Sequence, residues 1–163
     1  MNEIPVRTPL RLREYDYAQN GAYFVTVCTK DRAHLFGRIV GAGHPAGPHT
    51  ELSEYGVVVD EYIRTISQVY PDVFVDTYVV MPDHIHLLIR IDRAYGPAGC
   101  PAPTASLPKV ISALKSLCTR SAKRPLWQRG YYEHVIRNRE DFLSCGEYIA
   151  SNPGKWLETA QNP

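Results

Sequence analysis

Apolar and polar positions along the chain follow two periodicities, one typical of strands and one typical of helices. Runs dense in β-branched and aromatic residues predict strands over residues 21–28, 74–81, 84–91 and 132–136. Apolar residues at helical spacing predict helices over residues 51–67, over residues 107 to about 121, and from residue 139 to a stop signal at residues 152–154. The predicted order is therefore strand, helix, strand, strand, helix, strand and a final helix.

This order is that of the ferredoxin-like fold, an α+β architecture in which a βαββαβ unit forms one antiparallel sheet. We expect the first two helices on one face of the sheet and an additional C-terminal helix that carries a tyrosine, Tyr148. A length of 163 residues with 44% hydrophobic content suits one sizeable core, so we assign residues 1–163 to a single domain. Gly- and Pro-rich loops near residues 41–50 and 93–105 interrupt this domain.

Candidate capping residues mark the helix boundaries. Ser106 and Asn138 each precede a helical segment, and both residue types favour helix N-caps. Asn152 stands before Pro153, a combination typical of a helix end. Gly146 lowers the helix propensity of this last segment, which we interpret as a helix that can move.

Two histidines, His84 and His86, lie one residue apart in a predicted strand. Because strand side chains alternate between faces, both imidazoles leave the sheet on the same side. Ile85, Leu87 and Ile89 then face the opposite side, where a core is expected. The pair predicts half of a metal site, and two half-exposed strand histidines without a metal are the alternative.

The last predicted helix supplies candidate partners for this pair. Tyr148 and Asn152 are four residues apart, so they share one flank of the helix. Taken singly, Tyr148 fits a packing role at the rim of the core, and Asn152 fits a helix cap. Taken with two neutral imidazoles, an amide oxygen suits a divalent ion that keeps open positions for water and a phosphate oxygen. A tyrosine held in line with that phosphate can attack it.

The formal net charge of +1 hides an uneven distribution. Eight basic residues and one acid lie between residues 107 and 139, whereas seven acids and two arginines lie between residues 40 and 91. This polarity suits a partner with a phosphate backbone, and a solvated helix face explains the count about equally well. The predicted DNA contacts are Lys115, Arg120, Lys123, Arg124, Trp127, Arg129 and Arg137. For Trp127 core packing is the alternative, and for His134 a buried position is expected rather than a phosphate contact.

Hydropathy and cysteine usage indicate the compartment. No apolar run approaches the roughly 18 residues needed to span a bilayer, and the first residues lack the apolar stretch of a secretory signal. The four cysteines show no paired spacing, which favours free thiols in a reducing compartment. We therefore expect a cytoplasmic protein that does not bind membranes.

Three segments, in this order along the chain, closely resemble those of one protein family. They are Tyr78-Val-Val-Met-Pro-Asp-His-Ile-His-Leu, Trp127-Gln-Arg-Gly-Tyr-Tyr-Glu-His-Val-Ile-Arg-Asn138 and Glu147-Tyr-Ile-Ala-Ser-Asn-Pro153. Weaker similarity begins near Tyr23. The family is that of the REP-associated tyrosine transposases, relatives of the single-tyrosine HUH transposases of the smallest bacterial insertion sequences.

The resemblance implies a metal-dependent DNA transposase with one HUH-type domain, which cleaves and rejoins single-stranded DNA beside hairpins such as REP-like repeats. It implies Mg²⁺ or Mn²⁺ held by His84, His86 and Asn152, and it implies Tyr148 as the nucleophile that becomes joined to a 5′ phosphate. Asn152 stands where the insertion-sequence branch usually has Gln, which places the chain with the REP-associated branch. That branch implies a monomer rather than a homodimer.

Two other functions stay open at this point. One is a domesticated hairpin-DNA binding protein without turnover, and the other is an H-x-H metallohydrolase for small phosphoesters. A decayed site would be free to lose Tyr148 or a histidine, and this chain has lost neither. A small-molecule phosphoesterase would need neither Tyr148 nor the basic segment.

Overall fold

The order of secondary-structure elements matches the ferredoxin-like prediction, with a short ribbon added before the first helix. A computed structural model describes residues 20–92 and 105–161, so the loop predicted near residues 93–105 lies almost wholly outside the described residues. The elements are β1 (Gly21–Cys28), a 3-10 turn (Lys30–Arg32), β2 (Gly37–Val40), β3 (His49–Leu52), α1 (Glu54–Val69), β4 (Val73–Met81), β5 (His84–Ile91), α2 (Leu107–Ala122), β6 (Tyr132–Ile136) and α3 (Arg139–Gln161).

Four strands form one antiparallel sheet in the order β4-β5-β1-β6. The register pairs Thr26 of β1 with His86 and Cys28 with His84. Because directly paired residues share a face of the sheet, one face carries both histidines. The α+β, ferredoxin-like prediction is confirmed, including the C-terminal helix that carries Tyr148.

The opposite face of the sheet is covered by α1 and α2. Ile85, Leu87 and Ile89 are fully buried there, in one apolar cluster with Ile63 of α1 and Ile111 of α2. Burial of each such side chain contributes about 1.5–3 kcal/mol by removing apolar area from water. The alternation predicted for β5 is therefore confirmed, and the histidine face is left for α3.

The segment before α1 differs from the prediction. Residues 37–40 and 49–52 pair as an antiparallel ribbon, β2–β3, and the Gly- and Pro-rich loop connects its strands. The helix predicted from residue 51 begins instead at Glu54, because Ser53 caps it by accepting a hydrogen bond from the Gly56 N–H at 3.1 Å. Strands of four residues are too short for their alternation to be recognised from sequence.

The predicted N-caps of the other two helices have different outcomes. Asn138 caps α3 as predicted, since its Oδ1 accepts a hydrogen bond from the Asp141 N–H at 2.8 Å. Ser106 occupies the N-cap position of α2, but its side chain makes no capping hydrogen bond. Proline in the first turn of α2 lacks an N–H, so this end has one donor fewer to satisfy.

The last helix is longer than predicted. It continues through Pro153 to Gln161, so the predicted end at residues 152–154 was wrong. A proline inside a helix removes one backbone hydrogen bond. Here Asn152 and Pro153 are both buried, and Trp156 packs one turn later on the histidine face. Tertiary packing therefore outweighs the local stop signal.

None of the helices in the two described ranges combines the length and apolar content needed to cross a membrane. Cys28, Cys118 and Cys145 are free thiols, as their irregular spacing predicted.

Gly56 packs the first turn of α1 directly against the backbone of Phe36. A Cβ at this position would overlap the Phe36 carbonyl oxygen. We expect Gly56→Ala to lower the free energy of unfolding, measured in urea, by about 1–3 kcal/mol, because backbone must move to accept the methyl group. Gly146→Ala is the matched control: its Cβ would meet open space, so alanine should stabilise α3 by about 0.5–1 kcal/mol. A stabilising Gly56→Ala would contradict the close approach of these elements.

Candidate metal and nucleophile site

His84 and His86 lie side by side on the α3 face of the sheet, with their Nε2 atoms 3.1 Å apart. The exposed fractions of the two residues are only 7% and 5%. The prediction that both imidazoles leave the sheet on one side is confirmed. The two residues are buried rather than half-exposed, because α3 covers them.

The other ring nitrogen of each histidine is held by a neighbour. His84 Nδ1 lies 2.6 Å from Asp83 Oδ1, and His86 Nδ1 lies 2.8 Å from Thr26 Oγ1. Because a carboxylate only accepts hydrogen bonds, the proton of neutral His84 belongs on Nδ1, and its Nε2 lone pair faces His86. Two ligand atoms at adjacent octahedral positions, each about 2.1 Å from the metal ion, are about 3 Å apart. The observed separation therefore suits a shared cation.

Burial keeps this pair of imidazoles neutral. Desolvation, with smaller contributions from positive charge on His84 and Arg32, lowers the pKa of His86 to about 3. Desolvation also lowers the pKa of His84, although the hydrogen bond and charge of Asp83 act in the opposite direction. Neutral imidazole is the form that binds metal ions, so the pair needs no proton loss before binding.

Asp83 is anchored in turn by Arg32. Arg32 Nε lies 3.1 Å from Asp83 Oδ2, and the same guanidinium donates to Cys28 Sγ at 2.6 Å. Register between strands cannot be read from the pattern of residues, so Thr26 and Arg32 could not be associated with the histidines in advance. Asp83 directly precedes His84 in the chain, and this adjacency is the one signal in the sequence for its role.

α3 places Tyr148 and Asn152 over the histidine pair. The ring centre of Tyr148 lies 5.4 Å from that of His86 and 5.8 Å from that of Phe24. Asn152 is buried, and its side chain forms a hydrogen bond with His84. Because the helix continues beyond it, the alternative of Asn152 as a cap was wrong. The structure thus brings together all four residues predicted for the site.

A cleft of about 400 Å³ opens beside Tyr148. Its lining comprises His34, Tyr148, Asn152, Lys155, Trp156 and Thr159. The Lys155 ammonium lies 4.9 Å from the centre of the Tyr148 ring, and Trp156 packs edge-on against His34. Sequence reasoning missed these residues of the last turns because it ended the helix at Asn152.

Four of the predicted DNA contacts are exposed near the histidine end of the sheet. They are Arg120, Lys123, Arg124 and Arg129. Backbone hydrogen bonds of 2.9 Å, from Lys30 N–H to the Leu126 carbonyl and from Gln128 N–H to the Cys28 carbonyl, tie their segment to the end of β1. Since Cys28 pairs with His84, this segment runs beside the strand end that carries the site.

The other three predicted contacts lie differently. Lys115 is half-buried and donates to two backbone carbonyls at 2.9 and 3.0 Å, so it fixes the following loop, and burial lowers its pKa. Trp127 is half-buried with its ring 5.1 Å from that of Phe36, as in the core-packing alternative. Arg137 is exposed at the far end of β6, beside the start of α3.

Comparison with known proteins gives consistent results. No family model matches the chain. An uncharacterised protein of Haemophilus influenzae is 30% identical, over 92% of this chain and 89% of that protein. A second protein of that organism, provisionally named a REP-associated tyrosine transposase, is 26% identical, over 86% of this chain and 74% of its own length.

A solved structure of a REP-associated tyrosine transposase bound to a REP hairpin has the same fold. It matches with a TM-score of 0.63 at 23% identity, over 89% of this chain and 73% of that chain. Identity at this level shows a shared fold alone. The family itself is indicated by the three sequence motifs together with the named relative. In its three motifs, in a named relative and in its fold, the chain is thus similar to the REP-associated tyrosine transposases.

Proposed function

We propose that this protein cleaves and rejoins single-stranded DNA beside hairpins, through a phosphotyrosine link on Tyr148 and with the help of Mg²⁺ or Mn²⁺. The observation that carries the proposal is the cluster of His84, His86, Asn152 and Tyr148, in which Asn152 and Tyr148 line a cleft that is open to solvent. The similarity to a transposase solved with a REP hairpin supports hairpin DNA as the substrate. We retain the monomer as the expected oligomeric state.

The proposed metal ligands are the Nε2 atoms of His84 and His86 and the amide oxygen of Asn152. Both Nδ1 atoms are engaged by neighbours, and the two Nε2 atoms face each other, so their lone pairs can be offered to one ion. Two imidazoles and one amide leave positions for water and phosphate oxygens, as Mg²⁺ and Mn²⁺ sites do. A divalent ion held there would neutralise charge on the phosphate and polarise its phosphorus.

Tyr148 is the proposed nucleophile because its ring contacts that of His86 and its side chain lines the cleft together with Asn152. It is 44% exposed, so a DNA phosphate can reach it. Its oxygen forms a bond to phosphorus and loses the phenol proton, while the bond from phosphorus to the 3′ oxygen breaks and that oxygen takes up a proton. One phosphodiester replaces another, so the 3′ hydroxyl of a strand can later reverse the step without ATP.

Lys155 is proposed to assist this step from the next turn of α3. Its ammonium lies 4.9 Å from the centre of the Tyr148 ring, where a cation is attracted to the ring face. The same positive charge can bind a phosphate that enters the cleft.

The direct test of the proposal is incubation of the protein with single-stranded hairpin DNA and Mn²⁺, followed by a denaturing gel. We expect a protein–DNA adduct that survives denaturation and that chelation of the metal prevents. Tight DNA binding with no cleavage would favour the domesticated binding protein instead. Cleavage without an adduct would favour the metallohydrolase.

The exposed basic residues near the histidine end predict strongly salt-dependent DNA binding. For single strands the logarithm of the binding constant should fall with the logarithm of salt concentration, with a slope of about −0.7 per phosphate contacted. Arg129→Ala should remove one phosphate contact and so make this slope shallower by about 0.7. Arg38→Ala is the matched control, because Arg38 is exposed on the β2–β3 ribbon and is paired with Glu51. A flat response of the unmodified protein to salt would exclude this surface as the DNA footprint.

Asp83 is expected to orient His84 for metal binding. Asp83→Asn preserves the shape of the side chain but removes the charge that holds the Nδ1 proton of His84. We expect Mn²⁺ affinity, measured by titration calorimetry, to fall about 10–100-fold, the usual effect of losing such a supporting group. Asp76→Asn, at an exposed carboxylate of β4 that pairs with Arg90, should leave the affinity unchanged. Equal losses in both variants would argue against a specific role for Asp83.

A further inference from the structure

A second group of metal-binding side chains lies where β6 meets the start of α3. His134, Asp141 and Cys145 place their ligand atoms within 4.8 Å of one another. His134 Nε2 lies 2.8 Å from one carboxylate oxygen of Asp141 and 3.0 Å from the other, and Cys145 Sγ lies 3.8 Å from Asp141 Oδ1. The expectation of a buried His134 was wrong, since its side chain is 52% exposed. None of the three residues takes part in the proposed catalytic site.

The backbone positions these three side chains independently of any ligand. Asp141 and Cys145 are one helical turn apart and therefore share a flank of α3. His134 pairs with Phe24, whose ring contacts Tyr148, so His134 lies on the sheet face that α3 covers. One strand and one helix thus present an imidazole, a carboxylate and a thiol to a common point.

We propose that His134, Asp141 and Cys145 bind Zn²⁺, with water in the fourth position. Zinc accepts nitrogen, oxygen and sulfur ligands together, and three protein ligands plus water are a common set. A thiolate ligand disfavours Mg²⁺ and Mn²⁺, which separates this site chemically from the histidine pair. On binding, a zinc–sulfur bond forms and the thiol proton passes to solvent. The Nε2 proton that His134 donates to Asp141 is exchanged through solvent for one on Nδ1, so that the Nε2 lone pair and the carboxylate can both bind the metal.

The electrostatics of the metal-free site fit this assignment. The hydrogen bond from His134 lowers the pKa of Asp141, so the carboxylate is charged and ready to bind. Burial raises the pKa of Cys145, and the neighbouring charge of Asp141 raises it further. Without a cation the thiol stays protonated, because a thiolate next to a carboxylate is repelled. A divalent cation between the two groups removes that repulsion.

Zinc at this position would tie the first turns of α3 to β6. Cys145 lies three residues before Tyr148, and Gly146 between them has open space around it. The site would therefore restrain the segment of helix that carries the tyrosine. This consequence rests on the proposed function of Tyr148, whereas the binding of zinc does not.

Cobalt(II) substitution tests the site directly on the full chain. Co²⁺ bound by a thiolate gives a near-ultraviolet charge-transfer band that nitrogen and oxygen ligands do not give. We expect the unmodified protein to show this band, Zn²⁺ to displace it, and Cys145→Ser to lose it. Cys118→Ala, at a buried cysteine of α2, is the matched control and should keep the band.

Two further variants separate this proposal from the catalytic one. The double variant His84→Ala with His86→Ala should keep the cobalt band and the rise in melting temperature that Zn²⁺ causes. His134→Gln alters an exposed side chain, so it tests the site even if Cys145→Ser fails to fold. We expect this variant to bind Zn²⁺ at least about tenfold more weakly. A band that persists in Cys145→Ser, or that is missing from the unmodified protein, would overturn the zinc site. The DNA adduct formed with Mn²⁺ would be unaffected by that result.

Discussion

Tyr148→Phe is expected to abolish the covalent protein–DNA adduct and to lower the rate of strand cleavage by at least about 10³-fold. Removal of a nucleophile removes the covalent path itself, and other activated nucleophiles show losses of this order or greater. The change deletes one oxygen atom and leaves the ring, whose edge contacts with Phe24 and His86 do not involve the hydroxyl group. The measurement is a single-turnover assay with labelled hairpin DNA, resolved on a denaturing gel.

DNA binding should persist in this variant, because the proposed footprint comes from exposed arginine and lysine side chains. We expect the dissociation constant at fixed salt to change less than about threefold, a change of well under 1 kcal/mol. Tyr132→Phe is the matched control, since Tyr132 is also exposed and lies on the α3 face of the sheet, paired with Thr26. An adduct that survives in Tyr148→Phe would show that another group attacks the phosphate.

The parts of the fold that sequence predicts well are those in which local pattern and tertiary packing agree. β5 was predicted with its observed bounds, because isoleucines and leucines at alternate positions favour a strand and also fill the core under α1 and α2. The placement of His84 and His86 on one face follows from the same alternation. The start of α3 was predicted because its cap is a contact between residues only three apart, Asn138 and Asp141.

The parts that were missed depend on contacts between residues distant in the sequence. Thr26 reaches His86 only through the pairing of β1 with β5, and Arg32 reaches Asp83 only through the turn that follows β1. Lys115 carries the positive charge expected of a DNA contact, yet its ammonium donates hydrogen bonds to two backbone carbonyls of the loop after α2. Charge along a sequence shows which residues can bind a phosphate, but burial decides which of them are available to do so.

At the end of α3, contacts between distant residues override a local signal in the sequence. A local signal, Asn152 followed by Pro153, predicted a stop, but the helix continues because its later turns pack on the histidine face. That continuation brings Lys155 and Trp156 into the cleft. Because the helix was predicted to end too early, half of the residues that line the cleft were not predicted.

His86→Ala is expected to lower the rate of cleavage by about 10²–10³-fold while DNA affinity changes less than about threefold. Loss of one of two nitrogen ligands weakens metal binding, and a Lewis-acid metal contributes several kcal/mol to stabilisation of the transition state. The imidazole is buried and stacks on Phe24 with ring centres 5.1 Å apart, so the melting temperature should also fall. Rates should therefore be measured well below that temperature.

Metal dependence separates the chemical role of His86 from its structural role. If His86 is a ligand, raising the Mn²⁺ concentration should restore part of the lost cleavage in His86→Ala, because a weakened site still fills by mass action. His49→Ala removes an exposed imidazole on the β2–β3 ribbon and should change neither cleavage nor its metal dependence. Equal loss of cleavage and DNA binding in His86→Ala, with no response to added Mn²⁺, would assign this histidine to folding and remove the metal from the proposed mechanism.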